Sequence, residues 1–353
     1  MSAATAWTQM PAAQLDKSAA RAAEARQANL TKPAGALGRL EEAANRLAAM
    51  QGSKRPRVDS VAIVIFAADH GVAAEGVSAF PQVVTSEMIK NFSRGGAAIN
   101  VLARELGAQL EVINMGTLSV LEPLDGVRSV QLGLGSANFC QQAAMDKQQL
   151  ATALLTGKEA VERAKLEGVE LFIAGEMGIG NTTSAAALAC ALLAALPEHL
   201  VGLGTGVDPL GLVRKVSVVR RALARHSQHL SDPLEVLRRL GGFEIAALTG
   251  SYIACAQMAV PVLVDGFISS VAALVATRLC PGIERWLLFS HSSAEFGHRR
   301  VLKELQARPF LDLGMRLGEG SGAAVTVPLL RMACSLHNQM ASFDEVSVSE
   351  KSR

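Results

Sequence analysis

The chain has few aromatic side chains and no large excess of charge of either sign. Phe, Trp and Tyr make up 4% of its 353 residues, with a single tyrosine, and the formal net charge is +2. Proteins that hold single-stranded nucleic acids stack bases on aromatic side chains, and proteins that hold duplexes carry a dense basic surface. The composition therefore argues against nucleic acid as a partner.

Cysteines are also few and show no pattern. There are five, an odd number, without any C-x-x-C spacing. Cys190, Cys255 and Cys280 lie in stretches rich in Ala, Leu and Val, which is typical of small core residues. We therefore expect no disulfide framework, no metal site and a reducing compartment.

The sequence shows neither a signal peptide nor a membrane span. Met1–Ala13 has no basic region followed by an apolar one. The apolar run Ala185–Leu196 is too short to cross a bilayer, and Tyr252–Ala276 contains Pro261 and Asp265. Half of the residues are hydrophobic, enough for a large core. We expect a cytoplasmic protein that binds no membrane.

Strand-like and helix-like segments alternate along most of the chain. The candidate strands are Val61–Ala67, Glu111–Met115, Ser129–Leu134, Val169–Ala174, Leu200–Leu203, Val260–Val264 and Trp286–Phe289. The candidate helices are Gln14–Asn29, Arg39–Met50, Ala97–Leu106, Lys158–Leu166, Ala185–Leu196, Leu212–His226, Phe267–Leu279 and Ala323–Leu336. This alternation predicts an α/β fold with a mostly parallel sheet. The polar end of the chain, Ser342–Arg353, is expected to be a frayed tail.

The glycine-rich stretch Gly175–Ser184 follows a predicted strand and precedes a predicted helix. Glycines there, with a helix start, form a cradle for phosphate, since backbone N–H groups can point at the ligand. The nucleotide candidates in it are Gly178, Ile179, Gly180, Asn181, Thr182 and Thr183. Neither the Walker nor the dinucleotide pattern fits, and a plain capped turn is an open alternative. Glu176 repels phosphate, which indicates that further chemistry takes place there.

Polar residues follow nearly every predicted strand. The further candidates among them are Asp69, His70, Gly204, Asp265, Ser290, His291 and Ser293. The carboxyl ends of parallel strands share one edge, where α/β proteins bind ligands. Glu319 stands in a second glycine-rich element, Leu317–Gly322, where a helix start lowers its pKa and burial raises it. Its alternative role is simply to stabilise the helix start.

Seven blocks of the chain, in order, resemble the nicotinate-nucleotide:dimethylbenzimidazole phosphoribosyltransferase family of cobalamin lower-ligand synthesis. They are Ala68–Val72, Gly76–Gln82, Gly175–Thr183, Gly204–Asp208, Asp265–Phe267, Ser290–Glu295 and Gly318–Gly322. The resemblance covers most of the chain, from Leu30 to about Arg331. It implies a Rossmann-like sheet with helices on both faces and a homodimer. It also implies a small helical domain built from both chain ends.

The resemblance divides the chain into three parts. They are residues 1–55, a helical segment of the small domain; residues 56–309, the sheet domain; and residues 310–353, with the Gly-Glu-Gly loop and the last helix.

The family reaction, as the resemblance implies it, transfers the phosphoribosyl group of nicotinate mononucleotide to a benzimidazole nitrogen, without a cofactor. Glu319 matches the family's general base, and Lys215 matches a lysine that holds the phosphate or the nicotinate carboxylate. Glu176 would stabilise positive charge at C1′ of the ribose. The implied pocket for the acceptor base contains Ser78, Phe80, Ser86 and Met177.

Three alternatives remain open at this level. A related phosphoribosyltransferase would accept another azole or a purine such as adenine. A small-molecule kinase on a similar sheet would need a metal-bound triphosphate. A binding protein would hold both ligands without turnover.

Overall fold

The computed structural model describes residues 3–346 and centres on a parallel sheet. Six strands are found in this range: β1 Val61–Ala68, β2 Gln109–Gly116, β3 Val127–Ser129, β4 Leu171–Met177, β5 Val262–Val264 and β6 Leu287–Phe289. Their order is β3-β2-β1-β4-β5-β6, and each of these pairings is parallel. The predicted α/β class is therefore confirmed.

The strand order reverses between β1 and β4. The chain adds β2 and β3 on one side of β1 and then returns to place β4, β5 and β6 on the other side. All eight residues of β1 are buried, as expected for the central strand of a sheet that is covered on both faces. A ligand crevice is expected where the order reverses, outside the carboxyl ends of β1 and β4.

Helices surround the sheet. They are α1 Lys17–Asn29, α2 Arg39–Gln51, α3 Val83–Ser93, α4 Ala98–Leu106, α5 Lys147–Leu166, α6 Asn181–Leu193, α7 Pro209–His226, α8 Pro233–Leu240, α9 Phe243–Gln257, α10 Phe267–Leu279, α11 His298–Glu304 and α12 Ser321–Gln339. Helix α9 packs on both β1 and β4, and fourteen of its fifteen residues are buried. None of the helices between residues 3 and 346 is long and apolar enough to cross a membrane.

The two ends of the described chain meet. Helix α2 packs against both α1 and α12. Gln27 Nε2 lies 2.9 Å from His337 Nδ1, and Leu30 forms an antiparallel bridge with Ser342. We propose that α1, α2 and the carboxyl half of α12 form the small helical domain expected from the sequence.

The expectation of a frayed tail is wrong at its start. The Phe343 N–H donates to Asn29 O at 2.8 Å, which fixes this segment against α1. Residues 347–353 lie outside the described residues.

Two predicted strands are wrong or misplaced. Leu200–Leu203 is irregular and pairs with no strand of the sheet. The strand predicted at Ser129–Leu134 is instead β3, which ends at Ser129. The left-handed conformation of Gln131, with φ of 46°, breaks the extended backbone after it.

The boundary between β4 and α6 also differs from the prediction. Strand β4 continues through Gly175 and Glu176 to Met177, and α6 starts at Asn181 rather than Ala185. The connecting turn is therefore only Gly178–Gly180. As a result, the strand backbone rather than a flexible loop positions Glu176.

Candidate active site at the carboxyl edge of the sheet

A cavity lies at the carboxyl edge of the sheet, outside the ends of β4, β5 and β6. Its lining comes from the ends of β4, β5 and β6, from the start of α6 and from two loops. The lining residues are Glu176–Ile179, Asn181, Thr182, Gly204, Thr205, Asp265–Ser269, His291, Ser293, Glu295 and Arg316–Gly318. Most of the residues predicted from the strand ends therefore meet in one place.

Glu176 lines one end of this cavity. Glu319 is not itself a lining residue, but it lies directly beside Glu176, because the two backbones are bonded and Gly318 lines the cavity. The Glu319 N–H donates to the carbonyl oxygen of Glu176 at 3.2 Å. A Cβ atom added to Gly175 would lie 2.4 Å from the carbonyl carbon of Glu319, so only glycine permits this approach. The Glu176 carboxylate also accepts a hydrogen bond from Asn181 Nδ2.

Glu319 has an uncommon backbone conformation. Its φ is +61°, a left-handed value that costs a non-glycine residue free energy and that occurs often at functional sites. Its carboxylate Oε2 accepts the Ile99 N–H at the start of α4, with an N···O distance of 3.4 Å. Glu319 is 4% exposed, so its carboxylate has little contact with solvent.

Burial makes the carboxylates of this end harder to ionise. Desolvation raises the pKa of Glu176 well above its usual value, and the nearby charges of Glu244, Asp265 and Glu319 raise it further. Desolvation also raises the pKa of Glu319 and of Asp265. Burial therefore favours the protonated forms of all three carboxyl groups in the free enzyme.

The other end of the cavity carries positive charge. Lys215, on α7, is 1% exposed, and its Nζ donates to Thr182 Oγ1 at 3.0 Å. Arg316 reaches across from the loop before α12 and donates from Nη1 to Gly204 O at 2.9 Å. The two cations thus frame the first turn of α6.

Burial lowers the pKa of Lys215 to about 8, and the nearby Glu295 carboxylate opposes that shift. Glu295 itself is 8% exposed, and desolvation raises its pKa while Lys215 and Arg316 lower it. The cationic end therefore contains one carboxylate whose charge depends on its neighbours. Lys215 keeps its charge near neutral pH and loses it at moderately alkaline pH.

The backbone amides of the Gly178–Gly180 turn are partly committed within the protein. The Ile179 N–H donates to Thr85 Oγ1, and the Asn181 N–H donates to Gly178 O, each at 3.1 Å. The turn ends at Gly180, whose φ of +100° suits glycine. This geometry favours Arg316 and the Thr182 hydroxyl, which line the cavity, over the amides of Ile179 and Asn181 as the groups that meet an anion. Lys215 adds its charge from behind Thr182.

A histidine holds the loop after β6 in place. The Ser293 N–H donates to His298 Nδ1 at 2.8 Å, so the ring proton is on Nε2, which lies 2.9 Å from Ser270 Oγ. Burial lowers the pKa of His298 to about 3, so this ring is neutral. The neighbouring His291 Nε2 lies 3.8 Å from Asp265 Oδ1, beyond hydrogen-bond distance.

Not every residue proposed from the sequence lines the cavity. The predicted catalytic and nucleotide-binding residues that are absent from the lining are Gly180, Thr183, Lys215, Ser290 and Glu319. Ser290 Oγ donates to Asp265 O at 3.1 Å, and Glu319 is bonded through its backbone to Glu176, which lines the cavity. Of the residues proposed for the acceptor base, only Met177 lines it.

The other three residues of the proposed base pocket lie nearby. Ser78 and Phe80 belong to the segment before α3, with Phe80 half-exposed, and Ser86 is buried on α3. Helix α3 borders the cavity through Thr85, whose Oγ1 accepts the Ile179 N–H. These residues would meet a ligand that extends from the cavity toward α3.

Sequence reasoning missed Arg316 and Glu244. Nothing in the local pattern around Arg316 distinguishes it from a solvated arginine, because its approach to Gly204 depends on the tertiary fold. Glu244 carried a signal, since it is the lone carboxylate in the apolar stretch Phe243–Gln257. Among residues 3–346, no cluster of three or more His, Cys, Asp or Glu side chains is arranged to hold a metal ion.

The sequence matches a family model described as phosphoribosyltransferase over residues 12–348. The chain belongs to this phosphoribosyltransferase family. It is 58% identical over 345 residues to the nicotinate-nucleotide–dimethylbenzimidazole phosphoribosyltransferase of Pseudomonas aeruginosa UCBPP-PA14, covering 98% of each chain. The enzyme of the same name from Azotobacter vinelandii is 58% identical over 348 residues, which is 98% of this chain and 99% of that one.

Solved structures of the family share the fold. The crystal structure of the phosphoribosyltransferase of that name from Thermus thermophilus superposes with a TM-score of 0.90 at 45% identity, covering 96% of this chain and all of that one. The cavity at the sheet edge is therefore the candidate active site of a phosphoribosyltransferase.

Proposed function

We propose that this enzyme transfers the phosphoribosyl group of nicotinate mononucleotide to 5,6-dimethylbenzimidazole, giving α-ribazole 5′-phosphate and nicotinate. The observation that carries the proposal is the distribution of charge around the cavity. Glu176, with Glu319 beside it, lies at one end, and Arg316 and Thr182, with Lys215 bonded to Thr182, lie at the other. Nicotinate mononucleotide has a matching polarity, because its phosphate is anionic and its pyridinium ring carries positive charge beside C1′. The names of the relatives support the same pair of substrates.

The phosphate would lie at the cationic end. Lys215 and the Thr182 hydroxyl are 3.0 Å apart at the first turn of α6, where the helix dipole also favours an anion. Arg316 would exchange its bond to the Gly204 carbonyl for a charge-assisted bond to a phosphate oxygen. This arrangement would direct C1′ of the ribose toward Glu176 and Glu319.

Glu319 would be the general base. One azole nitrogen attacks C1′ while the bond from C1′ to the pyridinium nitrogen breaks, and nicotinate leaves with that electron pair. The azole then carries an extra proton on its other nitrogen, and the Glu319 carboxylate accepts it. Burial raises the pKa of Glu319, which makes the ionised form a stronger base.

Glu176 would respond to the charge of the substrate. In the free enzyme, burial and three neighbouring carboxylates favour its protonated form. The pyridinium of a bound nucleotide lowers the pKa of nearby carboxyl groups, so binding would favour the ionised form. An ionised Glu176 would then stabilise the positive charge that builds at C1′ in the transition state.

The direct test is incubation of the protein with nicotinate mononucleotide and dimethylbenzimidazole, followed by mass spectrometry. We expect α-ribazole 5′-phosphate and nicotinate, with no loss of turnover when a chelator is added. A requirement for magnesium and ATP would instead support the small-molecule kinase. Binding of both substrates without any product would support a binding protein.

The preferred acceptor is proposed to be dimethylbenzimidazole. Phe80 has no hydroxyl to pair with a polar base, and the Ser86 hydroxyl already donates to Val83 O at 2.8 Å. A largely apolar pocket distinguishes one methyl group by roughly 1–3 kcal/mol. In a competition between dimethylbenzimidazole, benzimidazole and adenine, we expect measurable turnover of benzimidazole and the fastest product from dimethylbenzimidazole. Faster accumulation of adenine ribotide would instead favour a purine-using enzyme.

We also propose that the enzyme is a homodimer. An apolar groove beside the cavity shares Glu295 and Arg316 with it. Leu203, Val213 and Phe296 on its walls are 50%, 67% and 64% exposed, and a second copy would cover them. Light scattering at micromolar concentration should report twice the mass of the chain, 37.0 kDa, and the mass of one chain would contradict the proposal.

A further inference from the structure

A fully buried histidine–carboxylate pair lies beneath the turn that leads into α6. His70 follows β1, and Glu244 is in the first turn of α9. His70 Nε2 lies 2.6 Å from Glu244 Oε1, and both side chains have zero exposure. The reaction proposed above assigns no chemical step to either residue.

Glu244 stands next to a helix N-terminus. As the second residue of α9, Glu244 lies at the positive end of the helix dipole. With the carboxylate as acceptor, His70 donates from Nε2. A buried hydrogen bond to a charged group stabilises a structure more than a neutral one does.

The His70 side chain supports the turn from below. A Cβ atom added to Gly178 would lie 3.3 Å from His70 Cδ2, and one added to Gly180 would lie 3.2 Å from His70 Cβ. Both glycines therefore lie close to His70, and a side chain at either position would press on it. Any movement of the imidazole would displace the turn.

The support continues on the other side of the imidazole. A Cβ atom added to Gly242 would lie 2.2 Å from His70 Cε1 and 2.8 Å from Glu244 Oε2. The pair is thus enclosed between the turn before α6 and the start of α9. Its position is determined by packing on both sides as well as by the hydrogen bond.

We propose that His70 and Glu244 form a positioning pair for the nucleotide site, in which Glu244 orients the imidazole and the imidazole fixes the Gly178–Gly180 backbone. This inference rests on the proposed function, since the turn carries Thr182 toward the phosphate. Neither residue touches substrate. The pair acts by holding the first turn of α6 in the position where Thr182 contacts Lys215.

The test compares His70→Asn and Glu244→Gln with His337→Asn. His337 is also a buried histidine with zero exposure, and it contacts Gln27 and Lys54 in the region of the chain ends, far along α12 from the site. His337→Asn therefore reports how much stability the protein loses when any buried imidazole is removed. Each variant is measured for melting temperature, for kcat and KM with nicotinate mononucleotide, and for amide hydrogen exchange at residues 178–183.

We expect His70→Asn to raise the KM for nicotinate mononucleotide about tenfold or more, as the loss of a buried bond to a charged group implies. Exchange at residues 178–183 should rise in parallel. Glu244→Gln keeps the shape of the side chain and one hydrogen bond. Its KM and its exchange at residues 178–183 should therefore lie between those of the wild type and those of His70→Asn. His337→Asn should lower the melting temperature while leaving KM and exchange at the turn near wild-type values.

Unchanged KM and unchanged exchange in folded His70→Asn would overturn the proposal, and so would equal losses in His337→Asn. If His70→Asn does not fold, an unchanged KM and exchange pattern in Glu244→Gln overturns it as well. A wild-type enzyme without turnover would refute the proposed function instead. The exchange measurement on the turn would still decide whether the pair positions it.

Discussion

The two ends of the cavity respond to burial in opposite directions. At one end, desolvation raises the pKa of Glu176, Asp265 and Glu319, and at the other it lowers the pKa of Lys215 to about 8. In both cases burial favours the neutral form of the group over the charged form, because a charged group loses its hydration when it is buried. A bound zwitterionic substrate would restore charge at both ends, so the substrate itself completes the electrostatics of the site.

The carboxylate end gives the largest expected effect. Glu319→Gln keeps the size of the side chain but cannot accept the azole proton, so kcat should fall by at least about 100-fold. The KM for nicotinate mononucleotide should change much less, because Lys215 and Arg316 are intact.

A matched control for this variant is Glu304→Gln. Glu304 is a surface carboxylate at the end of α11, where it pairs with Arg278. The Glu304→Gln variant should have the kcat of the wild-type enzyme. Near-normal turnover by Glu319→Gln would remove Glu319 from the role of base.

Substitutions at the cationic end should change KM rather than kcat. Lys215→Met removes a charge-assisted bond to the phosphate, and KM for the nucleotide should rise roughly 10- to 100-fold. Lys215→Arg keeps the charge and should recover part of the affinity. If Lys215→Met lowers only kcat, the lysine acts at the reacting atoms and the assignment of the two ends is wrong.

A substitution in the Gly178–Gly180 turn, which lies between the two ends, should have a smaller effect on nucleotide binding. Gly180 has a φ of +100° and rests on His70, so Gly180→Val should displace the turn and weaken nucleotide binding about tenfold. Gly168→Val is the control, since Gly168 has a φ of +74° and open space at its Cβ. Calorimetry should show weaker binding in the first variant only. Equal affinities in two folded variants would show that the phosphate lies elsewhere.

The smallest expected effect is in the pH profile of kcat/KM. Glu319 must be ionised to act as a base, so activity should fall as pH decreases through its raised pKa. Lys215 is charged only below its pKa of about 8, so activity should also fall as pH rises through that value. The profile is therefore bell-shaped, with up to about a tenfold decline per pH unit on the alkaline side.

The alkaline decline has its own test. Lys215→Arg stays charged throughout this range, so the decline should disappear in that variant. An unchanged alkaline decline in Lys215→Arg would assign it to another group.

The regular elements of the fold were predictable from the sequence where local pattern alone decides them. Phe267–Leu279 forms a helix with the predicted bounds, and the buried run at Val61–Ala67 forms the central strand with one added residue. Leu200–Leu203 is also largely apolar, but it is irregular and pairs with no strand of the sheet. Strand pairing is a tertiary property that a short apolar run does not encode.

The candidate site was predictable to a similar degree. Asp265 and Ser293 line the cavity because they end parallel strands, and Glu319 was identified from its glycine-rich surroundings. Arg316 and Glu244 were not identified, since each acquires its contacts only when distant segments come together. Lys215 was assigned through the resemblance to a known family, because its burial does not follow from the pattern of its helix.

The most direct test of the account is a single-turnover experiment that follows nicotinate release with and without dimethylbenzimidazole. If the two ends hold one substrate for transfer to the other, nicotinate should appear only when the acceptor is present, in equal amount to α-ribazole 5′-phosphate. Release of nicotinate at the same rate without the acceptor would show hydrolysis of the nucleotide. That result would contradict the account of the cavity as a site for phosphoribosyl transfer.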